Sequence, residues 1–442
     1  MFLKHSLIRL VDMGIEKKVS EYKGRVGVDM ISGDRSGSKV LKYTIPALLK
    51  VANESSLIYP NVMFVALGPV SELQDYFSGF SNVDVLNIEH THDNYGRLID
   101  INENPIIEKG EKEKFVTDFG DSRSVLNYLM KLLRQGKIDA AFTSGNTGIV
   151  VKNAGRNIGM IDGILKAPLT AIIPTISRND PSILADVGAN FYTTPLMLYQ
   201  SAVMSNEYYK LICPHSDKEP RVAILNAGEE KTKGTDILFA TYELFEKLQE
   251  QGKLNFVGFI EGRGGIFQNK ADVIVTDGWT GNMAIKVGEG MLYELMGAVM
   301  KEELKGKNIW LRIAGACLKF GDYSSKLKQR VLPDKYNAAP QIGLKKPVAM
   351  GHSTSNRFAF AHGIENTIRY AASDLINRLT DVFSDKETVI MLKKKYHEPY
   401  IDPMKKKIQE YTARIMSSKL DEEQKKLVLD NFLDVFNRNS SK

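Results

Sequence analysis

Short apolar runs alternate with amphipathic, helix-like segments along most of this 442-residue chain. Runs that are rich in β-branched residues and bounded by turn residues predict strands. The predicted strands are Arg25–Met30, Val62–Leu67, Val83–Ile88, Ile138–Phe142, Ile183–Val187, Val222–Asn226, Phe256–Ile260, Val273–Thr276 and Pro347–Met350. Helical patterns such as Ser122–Gln135 and Thr235–Gln251 lie between most of them. Because such alternation is typical of βαβ units, we expect an α/β fold with a largely parallel sheet covered by helices on both faces.

Three segments depart from this alternation. His90–Lys114 is polar and lacks clear periodicity, which predicts a long surface loop. Two successive helical patterns within Met291–Tyr336 predict a helical hairpin. Beyond Leu379 the chain is rich in Lys and Glu, which predicts helices on either side of a loop at Pro399–Pro403. The predicted units are an N-terminal extension (residues 1–20), an α/β domain (residues 21–378) and a helical C-terminal extension (residues 379–442).

Five of the predicted strands end in turns that are rich in glycine and asparagine. The turns are TSGNTG (143–148), DVGAN (186–190), LNAGEEKTKG (225–234), DGWTGN (277–282) and GHSTSN (351–356). A glycine turn that opens a helix directs free backbone N–H groups and the positive end of the helix dipole towards one point. Since ligands of parallel sheets bind beyond the carboxyl ends of the strands, the turns together predict a composite site for a phosphate-like anion. Any one of these turns also has a simpler explanation, which is reversal of the chain.

An asparagine recurs in or beside each turn: Asn146, Asn190, Asn226, Asn282 and Asn356. Asparagine tolerates left-handed backbone angles, so turn geometry explains part of this pattern. Side-chain donors that converge on the oxygens of an anion would explain the remainder.

Composition and charge describe an ordinary globular protein, with 43% hydrophobic and 25% charged residues. The net charge of +6 is too mild to indicate a nucleic-acid partner, although it suits an acidic protein or an anionic membrane surface. Cys213 and Cys317 lack the spacing of a disulfide framework or a zinc site, so we expect a reducing, cytoplasmic location. Lys4, His5 and Arg9 interrupt the apolar N-terminal stretch, which argues against a secretory signal. No apolar window is long enough for a membrane-spanning helix, so membrane contact is expected to be peripheral.

Several phosphate-handling and hydrolase motifs are missing from the sequence. GxxxxGK[ST] is absent, and GxGxxG does not follow the first strand, which disfavours nucleotide hydrolysis and dinucleotide binding. GxSxG is absent as well, which disfavours a serine hydrolase.

Titratable residues lie in or just after the turns. Lys286 follows Asn282 by one helical turn, so both side chains can face one crevice. His352 lies between a strand end and the helix-opening Ser353–Ser355, where a structural role and a catalytic role are about equally expected. Lys233, Glu229, Glu230 and Asp277 complete this set.

The motifs TSGNTG, LADVGAN, LNAGEEKTKG, DVIVTDGWTGNMAIKVGEG, YNAAPQIG and GHSTSN, in this order over Val26–Ala372, resemble the PlsX family of phosphate acyltransferases. The resemblance implies a Rossmann-like α/β/α fold similar to the phosphate acetyl- and butyryltransferases. It implies transfer of a fatty acyl group from acyl carrier protein to inorganic phosphate, which gives acyl phosphate for phosphatidic acid and phospholipid synthesis. It also implies a homodimer at the inner membrane face, near a downstream acyl-phosphate:glycerol-3-phosphate acyltransferase.

The resemblance also assigns roles to the turn residues. Lys233, with the turns of Asn146 and Asn282, would hold phosphate; Asn282 or Lys286 would polarise the thioester carbonyl; and His352 would protonate the departing thiol. The residues predicted to bind phosphate or substrate are Ser144, Gly145, Asn146, Thr147, Gly148, Gly188, Asn190, Asn226, Gly228, Glu230, Asp277, Gly278, Thr280, Gly281, Ser353 and Ser355. Glu229, Glu230 and Asp277 would orient the donors, because a carboxylate that faced phosphate would repel it. Phosphate is itself a nucleophile and a thiol is a good leaving group, so we expect no cofactor, metal or covalent enzyme intermediate.

Two motifs differ from the family pattern. Asp29–Asp34 reads DMISGD instead of a DAMGGD-like sequence, and Asn337–Pro340 reads NAAP instead of GGAP. Lost glycines restrict the backbone, so the acyl or carrier pocket is expected to be reshaped. Two alternatives stay open at this point: a short-chain acyltransferase that uses acyl-coenzyme A, and a catalytically silent scaffold that binds carrier protein. The helical segment Met291–Phe320 is the best candidate for dimerisation or membrane contact.

Overall fold

The computed structural model contains two mainly parallel β-sheets flanked by helices. It describes residues 20–33, 38–92, 98–100, 102, 124–175, 180–213, 218–268, 270–305, 338–352, 355–403, 406 and 412. The strands are β1 (Gly24–Asp29), β2 (Val62–Gly68), β3 (Val83–Asn87), β4 (His90–His92), β5 (Leu98–Asp100), β6 (Ala140–Thr143), β7 (Thr170–Ile173), β8 (Ser182–Ala185), β9 (Val222–Leu225), β10 (Phe256–Ile260), β11 (Val273–Val275), β12 (Ala339–Pro340) and β13 (Val348–Met350). The helices are α1 (Ser38–Ile58), α2 (Val70–Phe77), α3 (Val125–Arg134), α4 (Thr147–Asn157), α5 (Pro195–Ile212), α6 (Asp236–Glu250), α7 (Gly278–Lys305), α8 (Arg357–Ala372), α9 (Leu375–Val382) and α10 (Lys386–Tyr396).

The first sheet has six strands in the order β12-β13-β6-β1-β2-β3. Its neighbours run parallel except at one edge, where β12 pairs antiparallel with β13. The second sheet has five strands in the order β10-β9-β11-β8-β7, with β7 antiparallel to β8. A bridge between Leu169 and Gln341 links the chain just before β7 to the chain just after β12, so the sheets approach each other at these edges.

Burial explains why the central strands are almost continuously apolar. Every residue of β6, β8, β9 and β11 is buried, as expected for parallel strands that are covered on both faces. Helix α3 places Leu126, Leu129 and Leu133 in the core that covers the first sheet. These spacings of three and four residues are those of one helix face.

All nine predicted strands are present, each with bounds within two residues of the prediction. Sequence alternation did not reveal that the strands divide between two sheets, because the pattern records burial and not sheet membership. Strands β7 and β12 were not predicted; β12 has two residues, and only the first of the four residues of β7 is fully buried, unlike the central strands.

Two local predictions need correction. The segment His90–Lys114 is not entirely a loop, because β4 and β5 form a short antiparallel pair at its start. The loop predicted at Pro399–Pro403 is wrong, since residues 398–403 are helical. The carbonyl of His397 accepts the N–H groups of Tyr400 and Ile401, so Pro399 lies in the first turn, where its missing N–H costs no hydrogen bond.

The predicted extensions and hairpin are only partly covered by the described residues. The backbone of α7 continues as one helix from the DGWTGN turn to Lys305, so the first half of the predicted hairpin extends this helix. Residues 306–336 and nearly all of residues 1–20 lie outside the described residues. The domain boundaries at residues 20 and 379 stay predictions. No helix in the described ranges has both the length and the apolar character required to cross a bilayer.

Ala338 stands in the NAAP sequence and adopts a left-handed backbone angle, with φ of 86°. This conformation costs a non-glycine residue about 1–2 kcal/mol. We expect Ala338→Gly to raise the free energy of unfolding by up to about 1 kcal/mol, because glycine removes the strain but adds freedom to the unfolded chain. Urea denaturation measures the change. The neighbouring Ala339→Gly, which lies in β12 without such an angle, should destabilise the protein. Equal stability losses in the two variants would contradict this account.

Candidate active site

The five glycine- and asparagine-rich turns all follow the carboxyl ends of strands. TSGNTG follows β6 and GHSTSN follows β13, which are neighbours in the first sheet. DVGAN follows β8, LNAGEEKTKG follows β9 and DGWTGN follows β11, and β11 lies between β8 and β9 in the second sheet. Each sheet therefore presents its turns beyond the carboxyl ends of its parallel strands.

Turns from the two sheets meet at a point that we call the turn junction, formed by Thr147, Gly188 and Asn282. A Cβ atom at Gly188 would lie 3.7 Å from Cγ2 of Thr147 and 3.7 Å from Nδ2 of Asn282. Gly188 and Asn282 belong to the second sheet, whereas Thr147 opens α4 beside the first sheet. The junction thus joins three of the predicted turns.

The first part of α7 carries polar side chains from the turn junction towards the GHSTSN turn. Asn282, Lys286 and Glu289 are spaced four and three residues apart, so they share one helix face. The Oε2 atom of Glu289 lies 3.9 Å from Nε2 of His352. Within the described residues, Lys286 has no ion-pair partner, so its ammonium group is available to an anion.

Two of the five asparagines cap helices. The Oδ1 atom of Asn146 accepts the N–H groups of Gly148 and Ile149, at 3.1 and 3.4 Å, and so caps α4. The Oδ1 atom of Asn356 caps α8 in the same way, with accepted N–H groups at 2.8 and 3.0 Å. Such caps satisfy the backbone donors that would otherwise face an anion.

Two further asparagines brace their own turns, and one remains. The Nδ2 atom of Asn190 donates to Asp186 at 2.7 Å, and that of Asn226 donates to the carbonyl oxygen of Lys233 at 2.8 Å. Asn282, at the turn junction, makes no side-chain hydrogen bond to any described residue. Of the five, Asn282 therefore has the amide that is best placed to bind a ligand.

Two buried aspartates that the sequence reasoning did not include among the site residues hold the turns in shape. Asp186 is buried at the start of DVGAN, and burial raises its pKa to about 6. Its oxygens accept the backbone N–H groups of Leu169, Gly188, Ala189 and Asn190. These bonds fix the position of Gly188 at the turn junction.

Asp29 has the equivalent position at the end of β1 in the first sheet. It is completely buried, which raises its pKa, and it accepts backbone N–H groups from Ile31 and Ser32. The hydroxyl of Thr143 donates to Asp29 at 2.7 Å and accepts the N–H of Gly145 at 3.1 Å. A signal for both aspartates exists in the sequence, because each lies within one residue of a strand end and precedes a glycine by two or four residues.

The TSGNTG turn also contains a buried hydroxyl for which the described part of the chain offers no hydrogen-bond partner. Ser144 is 3% exposed, and its Oγ atom makes no hydrogen bond to any described residue. A buried polar atom without a partner is costly, and a ligand oxygen would satisfy it.

Predicted site residues of the LNAGEEKTKG turn are engaged in ion pairs. The Nζ atom of Lys233 lies 2.9 Å from Oε1 of Glu230, and the Nζ atom of Lys270 lies 2.6 Å from Oε1 of Glu229. All four side chains are about half exposed, where such pairs contribute little to stability. To bind phosphate, Lys233 would have to break its ion pair with Glu230. Gly228 packs against this pair, because a Cβ atom there would lie 2.6 Å from Cδ of Lys233.

The DGWTGN and GHSTSN turns use most of their polar groups locally. Asp277 accepts the N–H and the hydroxyl of Thr280, at 2.9 and 2.7 Å, and thereby caps α7. The N–H of Gly278 donates to the carbonyl oxygen of Asn190 at 2.8 Å, which joins this turn to DVGAN. The N–H of Ser355 donates to the carbonyl oxygen of His352 at 2.9 Å. Ser353 lies outside the described residues. The described part of the chain has no cluster of three His, Cys, Asp or Glu side chains arranged to hold a metal.

Comparison with known families identifies the chain. A family model described as "Fatty acid synthesis protein" matches residues 25–378. The phosphate acyltransferase of Dictyoglomus thermophilum is 31% identical over 354 residues, which cover 78% of this chain and 93% of the relative. This chain belongs to the PlsX family of phosphate acyltransferases. The phosphate acyltransferase of Lactobacillus acidophilus is 30% identical over 361 residues, which cover 82% of this chain and 99% of the relative. The family prediction is confirmed, and the protein is an acyltransferase.

The fold of this phosphate acyltransferase resembles that of a phosphotransacetylase from Streptococcus pyogenes. The TM-score is 0.50 with 14% identity, and the match covers 83% of this chain and 98% of the other. At this identity the likeness concerns the fold alone. The predicted Rossmann-like α/β fold is confirmed.

Proposed function

We propose that this phosphate acyltransferase transfers a fatty acyl group from acyl carrier protein to inorganic phosphate, which yields acyl phosphate for phospholipid synthesis. The observation that carries the proposal is the turn junction, where turns from both sheets meet beside Lys286, which has no ion-pair partner among the described residues. Thr147, after a strand of the first sheet, and Asn282, after a strand of the second, both lie close to Gly188. Lys286 follows Asn282 by one helical turn. Together they supply two uncharged polar groups and one positive charge close to the turn junction.

The chemistry requires positioning more than activation. Phosphate is largely dianionic near neutral pH and attacks without a general base, and a thiol of pKa about 8.5 leaves readily. Holding the two reactants in the reactive geometry can lower the barrier by about 7–11 kcal/mol. Lys286 and the Ser144 hydroxyl support the phosphate-binding role. Lys233 contributes to phosphate binding once phosphate replaces Glu230 as its ion-pair partner.

In the proposed step, a phosphate oxygen forms a bond to the thioester carbonyl carbon, and the carbon–sulfur bond then breaks. The amide of Asn282 donates to the carbonyl oxygen, which becomes negatively charged as the bond forms. The proton of hydrogen phosphate ends on the sulfur of the departing thiol. His352, whose ring lies 3.9 Å from Glu289, is the group proposed to deliver it.

A row of exposed apolar side chains on α7 supports a long acyl chain over a short one. Trp279, Met283, Val287 and Met291 recur at every fourth position and are each 45–60% exposed. The row lies on the helix face next to that of Asn282 and Lys286, because consecutive residues are about 100° apart around a helix. An acyl chain extending from a carbonyl at Asn282 would lie along this row and cover it. A two-carbon acyl group would leave it exposed.

The proposal includes partners beyond the two substrates. A net charge of +6 suits binding of an acidic carrier protein. A homodimer that contacts anionic lipid at the inner membrane face, with a glycerol-3-phosphate acyltransferase as the next enzyme, follows from the resemblance of the motifs.

Acyl phosphate formation by the purified full chain tests the proposal. We expect turnover of palmitoyl-acyl carrier protein with phosphate, at a kcat/KM at least about 100-fold above that for acetyl-coenzyme A, because the apolar row contributes only to long-chain donors. Trapping of acyl phosphate with hydroxylamine measures the product. A preference for acetyl-coenzyme A would identify a short-chain enzyme. Absence of acyl phosphate with both donors would indicate the carrier-protein scaffold.

A further inference from the structure

The chain that follows the family-matched region packs against the body of the protein. The match ends at residue 378, whereas α9 ends at Val382 and is followed by α10 and the helical residues 398–403. Phe383, Tyr396 and Ile401 are each less than 10% exposed. Phe383 and Tyr396 belong to the same apolar cluster as Leu196 and Tyr208 of α5. We call residues 386–403 the C-terminal brace.

Two polar contacts join the brace to the loop after DVGAN. The hydroxyl of Tyr192 donates to the carbonyl oxygen of Tyr400 at 2.6 Å. The Oγ1 atom of Thr194 lies 3.0 Å from Nδ1 of His397, within hydrogen-bond distance, and also accepts the N–H of Met197. Both contacts connect residues about 200 positions apart in the sequence.

The loop that the brace holds begins at the candidate active site. Asp186 fixes residues 188–190 at one end of the loop, and the brace fixes Tyr192 and Thr194 at the other. Phe191 lies between these attachments and is 53% exposed. Its ring makes an edge-to-face contact with Trp279, with centroids 5.9 Å apart. Trp279 is the first residue of the apolar row on α7.

The brace also lies near the helix after LNAGEEKTKG. The pKa of Tyr400 is raised by burial and then by the nearby carboxylates of Asp236 and Glu243, both on α6. One short segment therefore contacts the loop after DVGAN and lies near the helix that follows LNAGEEKTKG.

We propose that Tyr400 and His397 are positioning residues for the acyl donor: through Tyr192 and Thr194 they hold Phe191 against Trp279, where the acyl chain enters the apolar row. This inference rests on the proposed function for the identity of the donor. Apolar side chains on a mobile loop lose conformational freedom when they bind a ligand, so a loop that is held in advance binds more tightly. The brace acts on binding of the acyl chain and not on phosphate or on the chemical step.

A tyrosine-to-phenylalanine pair tests the proposal. Tyr192→Phe removes the hydroxyl that donates to Tyr400 and keeps the ring. Tyr199→Phe on α5 is the matched control, because the Tyr199 hydroxyl makes no hydrogen bond to any described residue. We expect Tyr192→Phe to raise KM for palmitoyl-acyl carrier protein about 3- to 10-fold, the effect of one hydrogen bond. The values of kcat and of KM for phosphate should stay within about 2-fold of wild type. Tyr199→Phe should behave as wild type.

His397 provides a second variant with a conservative rescue. His397→Ala should raise the same KM, and His397→Asn should restore it, because the asparagine amide can occupy the place of Nδ1 beside Thr194. Tryptophan fluorescence gives a readout that does not depend on activity. In a Trp310→Phe background, Trp279 is the only remaining tryptophan, and its emission should shift to the red in Tyr192→Phe and His397→Ala.

The two levels of the proposal fail in different ways. If the wild type makes no acyl phosphate from the long-chain donor, the proposed function fails, and the Trp279 emission still tests the brace. An unchanged emission in both variants overturns the positioning role. So does a parallel loss of kcat, of phosphate binding and of thermal stability, which would show that the contacts only stabilise the fold.

Discussion

Replacement of Asn282 by alanine is expected to lower kcat at least about 100-fold and to leave the melting temperature unchanged. The amide lies at the turn junction and makes no hydrogen bond to any described residue, so its removal breaks no native polar contact. If it donates to the thioester oxygen, its loss removes one donor from the transition state, which typically costs about 10²–10³ in kcat. Steady-state kinetics with acyl-acyl carrier protein, combined with thermal denaturation, measures both effects.

Asn356→Ala is the matched control for this prediction. Its side chain caps α8, so alanine should lower the free energy of unfolding by about 1 kcal/mol. The value of kcat should fall by less than about 5-fold, because the cap faces the backbone of its own helix. Asparagines in two similar turns would then separate cleanly into a catalytic and a structural class. Activity of Asn282→Ala within 3-fold of wild type would remove Asn282 from the transition state.

The asparagine pattern shows how far the sequence defines the site. The sequence has an asparagine in or beside each turn, as expected because a turn that opens a helix favours this residue. The position of an asparagine in the sequence does not show which groups its side chain contacts. Asn146 and Asn356 face their own backbones, whereas Asn282 faces Gly188 of another turn. That difference depends on contacts between segments about 90 residues apart, which no local pattern records.

The two lysines illustrate a related limit. Lys233 was predicted to hold phosphate, and Lys286 was predicted to be one of two candidates to polarise the thioester carbonyl, because each lies in or just after a glycine turn. In the structure Lys233 pairs with Glu230, three residues earlier, and Lys286 lies one helical turn from the turn junction without an ion pair to any described residue. The Glu230–Lys233 spacing was visible in the sequence and could have indicated this pair.

The buried aspartates were missed for a physical reason. A carboxylate near phosphate is unfavourable, so acidic residues were expected to stand back from the anion. Asp29 and Asp186 do so by turning inward, where each binds backbone N–H groups of its own turn. By contrast, the strands were predicted well, because continuous burial on both faces leaves a strong apolar signal in β6, β8, β9 and β11.

Gly281→Ala is expected to lower the free energy of unfolding by about 3 kcal/mol or more and to abolish most activity. A Cβ atom at Gly281 would overlap the carbonyl oxygen of Asp186 and lie 3.0 Å from Cγ2 of Thr276. The overlap is with backbone and cannot be relieved by a rotamer change, so the start of α7 or the DVGAN turn has to move. Either movement separates Asn282 from Gly188 and opens the turn junction. Urea denaturation and acyl phosphate formation measure the two losses.

Gly288→Ala makes the same substitution two helical turns further along α7. A Cβ atom there meets no described atom within 4 Å, so alanine should raise stability by about 0.5–1 kcal/mol through its higher helix propensity. Opposite signs in the two variants would show that Gly281 is required by the close approach of two turns and not by flexibility of the helix. If Gly281→Ala were as stable as Gly288→Ala, the two turns would not be packed as described. The close packing of these two turns then could not be what brings Asn282 near Thr147 of the other sheet.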